Sequence, residues 1–184
     1  MTVMDSYWLE QCRAGDSLAI ERLVQSHQQD VYRLALSILD DSDEADDVTQ
    51  EVFVSALRAL ESFHGNASFR TWLFSITINV CRTRLQRHKN RGRLQLTLQN
   101  LFQLRGEQAH HPEEEALQNE SDDALWRAIH ALDDKHRLPI VLRYYHDMPV
   151  ADIAGMLRVP VGTIHSRLNH ARERLRAMLK EESK

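Results

Sequence analysis

Between positions 163 and 174 the chain carries Thr163, His165, Ser166, Arg167, Asn169, His170 and Arg174. These side chains can donate hydrogen bonds to phosphates and to the base edges of a DNA major groove. Ile164, Leu168, Ala171, Leu175 and Met178 run through and beyond them, spaced four, three, four and three residues apart. That spacing is one face of an α-helix, which leaves the donors on the other. A solvated helix face in a bundle also carries Arg and Asn, so the spacing alone favours DNA binding without excluding the plainer reading.

A second basic surface lies upstream. Arg82, Arg84, Arg87, Lys89, Arg91 and Arg93 occupy a stretch of 12 residues that contains no acid. The helix dipole favours two or three bases at a helix C-terminus, but six exceed that need, and a nucleic-acid backbone is the matching partner. The aromatics Phe63, Phe69, Trp72 and Phe74 stand just before it, where bases could stack on them. At helical spacing such residues usually form core, and at least two of the four are expected there. Opposite in sign is the run Asp43, Glu44, Asp46, Asp47 and Glu51, which meets no base until Arg58. Part of it is ordinary acid at a helix N-terminus.

Other chemistry finds little support. Ten histidines are present, yet His110 and His111 have no Cys neighbours, and no HExxH or paired His/carboxylate spacing occurs. Cys12 and Cys81 cannot form a disulfide framework or a four-ligand metal site alone, and a reducing cytoplasm is expected. There is no Gly-rich phosphate loop, GxSxG elbow or Cys/His signature. The expectation is a protein that is not an enzyme, with no cofactor, metal or small-molecule substrate. No run approaches the length of a membrane span, and the first residues lack the pattern of a signal peptide.

The elements that must position these groups read as helices throughout, in keeping with only six Gly and four Pro. Asp16 or Ser17 is placed to cap a helix with Ile20, Leu23, Val24, Val31, Leu34, Ala35 and Ile38 on one face. A second helix starts near Asp43 and lines up Ala45, Val48, Val52, Ala56 and Leu60. His64 to Ser68 is a loop, and Ser68 is the expected cap of a long helix that is apolar first and basic last. Downstream, Ala124, Leu125, Ala128, Ile129 and Leu132 form a stripe, and a second helix is expected over Leu138 to Tyr145. Val150 to Leu157 and Val161 to about Leu179, joined by Arg158-Val159-Pro160, describe a helix-turn-helix, with Ala151, Ile153, Ala154 and Leu157 as the apolar face of its first helix.

Charge divides the chain similarly. Residues 1–100 balance at −2, residues 101–123 at −6 and residues 124–184 at +4. The expected architecture is all-α, with two small helical domains, 1–93 and 122–181, joined by a flexible acidic linker over 94–121. Weak mutual contact between the two domains is expected.

Two segments carry a family likeness. DEADDVTQEVFVSALRALESFHGNASFRTWLFSITINVCRTRLQR resembles the second conserved region of the extracytoplasmic-function sigma factors, and LPIVLRYYHDMPVADIAGMLRVPVGTIHSRLNHARERLR is similar to their fourth. The resemblance implies a bacterial initiation factor that binds RNA polymerase core and directs it to a promoter. It implies that Asp46, Asp47, Gln50 and Glu51 dock on the clamp helices of the largest subunit. Phe63, His64, Asn66, Ser68, Trp72, Asn79, Arg82, Arg84 and Arg87 would engage and open the upstream-ten element, Asn79 matching a position that reads an unstacked base. Thr163, His165, Ser166, Arg167, Asn169, His170 and Arg174 would read the upstream-thirty-five element, and their domain would touch the polymerase flap. An anti-sigma partner, able to hold the otherwise cytoplasmic protein at the inner membrane, is expected on the same ground. Where the family usually has Lys, this chain has His165. A stand-alone helix-turn-helix regulator and an all-helical adaptor without DNA binding are the competing readings.

Overall fold

In the computed structural model the backbone is described over residues 3–101 and 120–182, and side chains over 7–88 and 124–180. Every element among the described residues is helical. The N-terminal unit comprises α1 (Val3–Arg13), α2 (Ser17–Leu39), α3 (Ser42–Ala59) and α4 (Phe69–Leu101), with a 3-10 turn at Leu60–Ser62. The C-terminal unit comprises α5 (Glu120–His130), α6 (Asp134–Ile140), α7 (Val150–Leu157) and α8 (Val161–Glu182).

Local chemistry sets the helix ends. The Asp16 carboxylate accepts from the Ala19 amide at 2.8 Å and starts α2. Asp40 ends α2 in the left-handed conformation (φ 59°), and Asp41 caps α3 by accepting from Glu44 at 2.8 Å. This tight corner turns α3 back so that Val31, Leu34, Ala35 and Ile38 meet Ala45, Val48, Val52 and Ala56. Ser68 caps α4 by accepting from the Thr71 amide at 3.0 Å. The first half of α4 then contributes Leu73, Phe74, Ile78 and Cys81 to the same core.

Several expectations are corrected. The long basic helix runs on to Leu101, so the start of the expected linker at 94 is helical. The rest of that linker, 102–119, lies outside the described residues, as do the side chains of Lys89, Arg91 and Arg93. The helix expected from Leu138 begins earlier, at Asp134, and widens after Pro139 into a π turn over Val141–Tyr145. Pro139 has no N–H for the carbonyl one turn back, and the looser turn follows it. Ala151 is exposed, leaving Ile153, Ala154 and Leu157 as the buried face of α7.

The largest correction concerns the two units, which share one hydrophobic core instead of touching weakly. Phe74 is fully buried, and its ring meets the His146 ring edge-on at 5.2 Å between centroids. Arg70 pairs with Asp30 at 2.8 Å and donates across the seam to the His146 carbonyl at 3.2 Å. His130 in α5 lies 3.2 Å from Asp40 at the α2–α3 corner. Charge segregation along the chain does not report such contacts, because they are built from single apolar and polar residues.

Candidate polymerase and nucleic-acid interfaces

On α3 the acidic residues divide between two directions. Glu44 meets His88 at 2.8 Å, and Asp47 and Glu51 both reach Arg84 at 3.5 Å, so these three acids face α4. Asp43, Asp46, Gln50 and Val54 fall at intervals of three and four residues along the exposed side of the same helix. Val54 is 48% exposed there, a single apolar side chain within a polar stripe. Of the expected polymerase contacts, Asp46 and Gln50 therefore belong to the outward stripe, while Asp47 and Glu51 are shared with Arg84.

The loop 62–68 and the start of α4 build a second surface. Arg13 holds the turn from beneath, donating to the carbonyls of Leu60 at 3.3 Å and Phe63 at 2.6 Å. Phe63, Phe69 and Trp72 form an aromatic cluster with centroids 5.2 to 5.5 Å apart. Phe63, expected as a DNA contact, is only 4% exposed among Leu9, Cys12, Ala19 and Leu60. It braces the loop and offers no free ring face to a base. His64, Asn66 and Ser68 are exposed on that loop, and Trp72 is half-buried. Trp72, Ser75, Asn79 and Arg82 repeat at helical spacing on one side of α4, with Asn79 and Arg82 exposed. Arg87 is exposed further along. Arg84 departs from expectation: its charge is engaged with α3, away from a phosphate backbone.

In the helix-turn-helix, Arg158 takes a left-handed conformation (φ 55°), and the Val159 amide closes on the Ala154 carbonyl at 3.0 Å. Ile164, Leu168, Ala171 and Leu175 are buried, and this fixes the rotation of α8. His165, Ser166 and Asn169 are exposed, and Thr163 and Arg167 are half-buried beside them. Asn169 accepts from Arg172, and the Ser166 hydroxyl donates to the Thr163 carbonyl at 3.0 Å. His170 and Arg174 lean towards the turn between α5 and α6. The His170 ring lies 6.3 Å from that of His136, and Arg174 is 3.6 Å from Asp133.

Sequence reasoning missed the residues at the seam between the units. Arg70, Thr71, His146, Met148 and Asp152 meet there, and no periodicity marks them. Burial, aided by the nearby Arg70 and Arg33, lowers the pKa of His146 to about 4, with Asp30 and Asp147 opposing. The imidazole is therefore neutral near pH 7, and its Nε2 is buried without a partner. Burial also pushes the Cys81 thiol up to about 12 and raises that of Cys12, which suits apolar packing and not reactivity. Among the described residues, no three His, Cys, Asp or Glu side chains gather in a way that could hold a metal. No helix among them is long and apolar enough to cross a membrane.

Known proteins share this arrangement. The family description Sigma-70 region 2 matches residues 23–91, and Sigma-70, region 4 matches residues 128–177. The RNA polymerase sigma-H factor of Pseudomonas aeruginosa is 32% identical over 92% of this chain and 90% of its own length. The ECF RNA polymerase sigma factor SigW of Bacillus subtilis is 30% identical over 98% of this chain and all of its own length. The chain belongs to the extracytoplasmic-function sigma factors. A solved sigma factor, RpoE of Bartonella quintana in complex with the anti-sigma factor NepR, superposes with a TM-score of 0.64. It is 25% identical, covering 87% of this chain and 96% of its own. In this sigma factor, then, the region 2 match runs from within α2 into α4, and the region 4 match runs from the end of α5 into α8.

Proposed function

We propose that this sigma factor divides its work among three surfaces. As a member of its family it is an alternative sigma factor that directs transcription initiation, with RNA polymerase core and promoter DNA as partners. The outward α3 stripe of Asp43, Asp46, Gln50 and Val54 would meet the polymerase clamp. Exposed acids around one apolar contact suit a basic partner surface, and charge complementarity governs the rate and fidelity of such docking. The loop with His64, Asn66 and Ser68, continued by Trp72, Asn79 and Arg82, would take the upstream-ten strand. Arg87 would add a phosphate contact. His165, Ser166, Arg167 and Asn169 would read the upstream-thirty-five element, with Thr163 at the helix start.

The observation that carries this reading is the segregation on the N-terminal unit. The exposed acidic stripe lies on α3, and the exposed polar and basic residues Asn79, Arg82 and Arg87 lie on α4. A stand-alone helix-turn-helix regulator has no use for that division, and neither has an adaptor that ignores DNA. An anti-sigma factor is a further proposed partner, and it would place the complex at the inner membrane if it is itself anchored there. Promoter-dependent transcription with purified core tests the reading. Discrete starts that depend on the chain support it, and their loss in an Asp46→Lys, Gln50→Ala variant would identify the α3 stripe as the docking face.

A further inference from the structure

The loop that presents His64, Asn66 and Ser68 is anchored by α1, a helix that precedes the residues 23–91 matched to region 2. Phe63, at the root of the loop, packs among Leu9 and Cys12 of α1, Ala19 of α2 and Leu60. Arg13, the last residue of α1, spans the turn that leads into the loop. Its Nε donates to the Leu60 carbonyl at 3.3 Å and its Nη2 to the Phe63 carbonyl at 2.6 Å. The dipole favours a base at any helix C-terminus, but that preference needs no acceptors 47 and 50 positions away. A planar guanidinium fork sets the spacing of two carbonyls, which a single ammonium does not. The corner after α1 places Arg13 in turn. Gly15 there takes a positive φ (81°), and the Asp16 amide closes on the Gln11 carbonyl at 3.0 Å. At the far end of the loop the Ser68 hydroxyl accepts from the Thr71 amide at 3.0 Å. Between the two anchors the backbone turns through Gly65, at φ 72°. The directions of His64 and Asn66 therefore follow from where Arg13 holds the Phe63 carbonyl.

We propose that Arg13 is a positioning residue for upstream-ten recognition: it sets the shape of loop 62–68, and through it the bases accepted, without touching DNA. The proposal rests on the reading of this loop as part of the upstream-ten site. Arg13 is exposed, and the apolar packing of Leu9, Cys12, Ala19, Leu60 and Phe63 needs neither of its bonds. Their loss therefore acts on the loop more than on the fold. A loop that holds its DNA-accepting shape only part of the time lowers apparent affinity for the matched strand by that fraction. The same loosening admits wrong bases, because a site rejects them only while supporting hydrogen bonds keep its polar groups in place.

The test uses holoenzyme, formed from the full chain and core polymerase, on a promoter that this sigma factor itself selects from genomic fragments. Open-complex affinity is measured on that promoter and on versions with each upstream-ten base changed, at several salt concentrations. Arg13→Met keeps the length of the side chain and removes the donors, and Arg13→Lys keeps the charge without the fork. Circular dichroism and core binding verify that each variant folds and docks. The expected result for Arg13→Met is a loss of about ten-fold in discrimination between matched and altered bases. Arg13→Lys should lose less, and the salt slope should stay unchanged in both. Should Arg13→Met fail to fold, Arg13→Lys decides. A slope flattened by about one unit in Arg13→Met alone would overturn the proposal, because Arg13 would then be a phosphate contact. Equal losses on every sequence, or none, would overturn it too. Asn66→Ala, measured alongside, tells the two failures apart. If it shifts base preference and Arg13→Met does not, the upstream-ten reading stands and the positioning role falls. If neither variant shifts it, the reading of the loop falls and the proposal with it.

Discussion

Arg84 lies 3.5 Å from Glu51 and equally 3.5 Å from Asp47, bridging α4 to α3 with its side chain only 23% exposed. One residue of the Arg-rich run is therefore structural, and the bases of that run do different work. Arg84→Ala should leave the salt dependence of promoter binding nearly unchanged. Arg87→Ala should flatten it by roughly one unit of slope, as expected for a lost phosphate contact. Promoter-complex affinity at several salt concentrations separates the two.

The division of acids on α3 makes a similar distinction. Asp46→Lys should reduce affinity for polymerase core while moving stability by no more than about 0.5 kcal/mol, as usual for an exposed charge. Asp47→Lys faces Arg84 and should add a folding cost from like-charge repulsion. Core binding by titration, set beside thermal unfolding of each variant, distinguishes docking from bracing. Equal binding by wild type and folded Asp46→Lys would remove the stripe from the interface.

On the recognition helix, Arg167 is half-buried between exposed Ser166 and Asn169. Arg167→Ala should change which upstream sequences are preferred, at a cost of about 1–3 kcal/mol for a lost bidentate base contact. Arg174, 3.6 Å from Asp133, should affect sequence preference less. Holoenzyme affinity on matched and altered upstream elements checks both, and equal losses on every sequence for Arg167→Ala would make it a phosphate anchor.

His146 makes the fold acid-sensitive. Its pKa falls to about 4 in the folded chain, so the unfolded chain takes up a proton first as pH drops through about 6.5. The contribution of neutral His146 is present above that range and is lost progressively towards pH 4. By pH 5.5 the loss should reach about 1 kcal/mol, and His146→Phe should reduce it. Urea unfolding of both proteins at pH 7 and pH 5.5 is the check. An identical pH dependence would place the sensitivity elsewhere.

Much of this was legible in the chain. Apolar spacing locates α2, α3, α7 and α8 and, Ala151 apart, the buried face of α7, because one-sided burial leaves a helical period in the sequence. Asp16 and Ser68 were legible as caps, since a short oxygen-bearing side chain before an apolar run has a specific local role. The inward placement of Phe63 and Arg84 is not legible, for a shared reason. An aromatic or an arginine looks the same in sequence whether it faces a ligand or a neighbouring helix. The seam was invisible: Thr71 and Asp152 are 81 positions apart, and nothing near either one announces the other.

The central claim, that this chain directs polymerase to promoters, is tested most directly by transcription with purified core from its own bacterium on a library of genomic promoter fragments. The account predicts discrete start sites that appear only when the chain is added and that share an upstream-ten and an upstream-thirty-five sequence. Transcripts indistinguishable from those of core alone, from a folded chain that binds core, would contradict it.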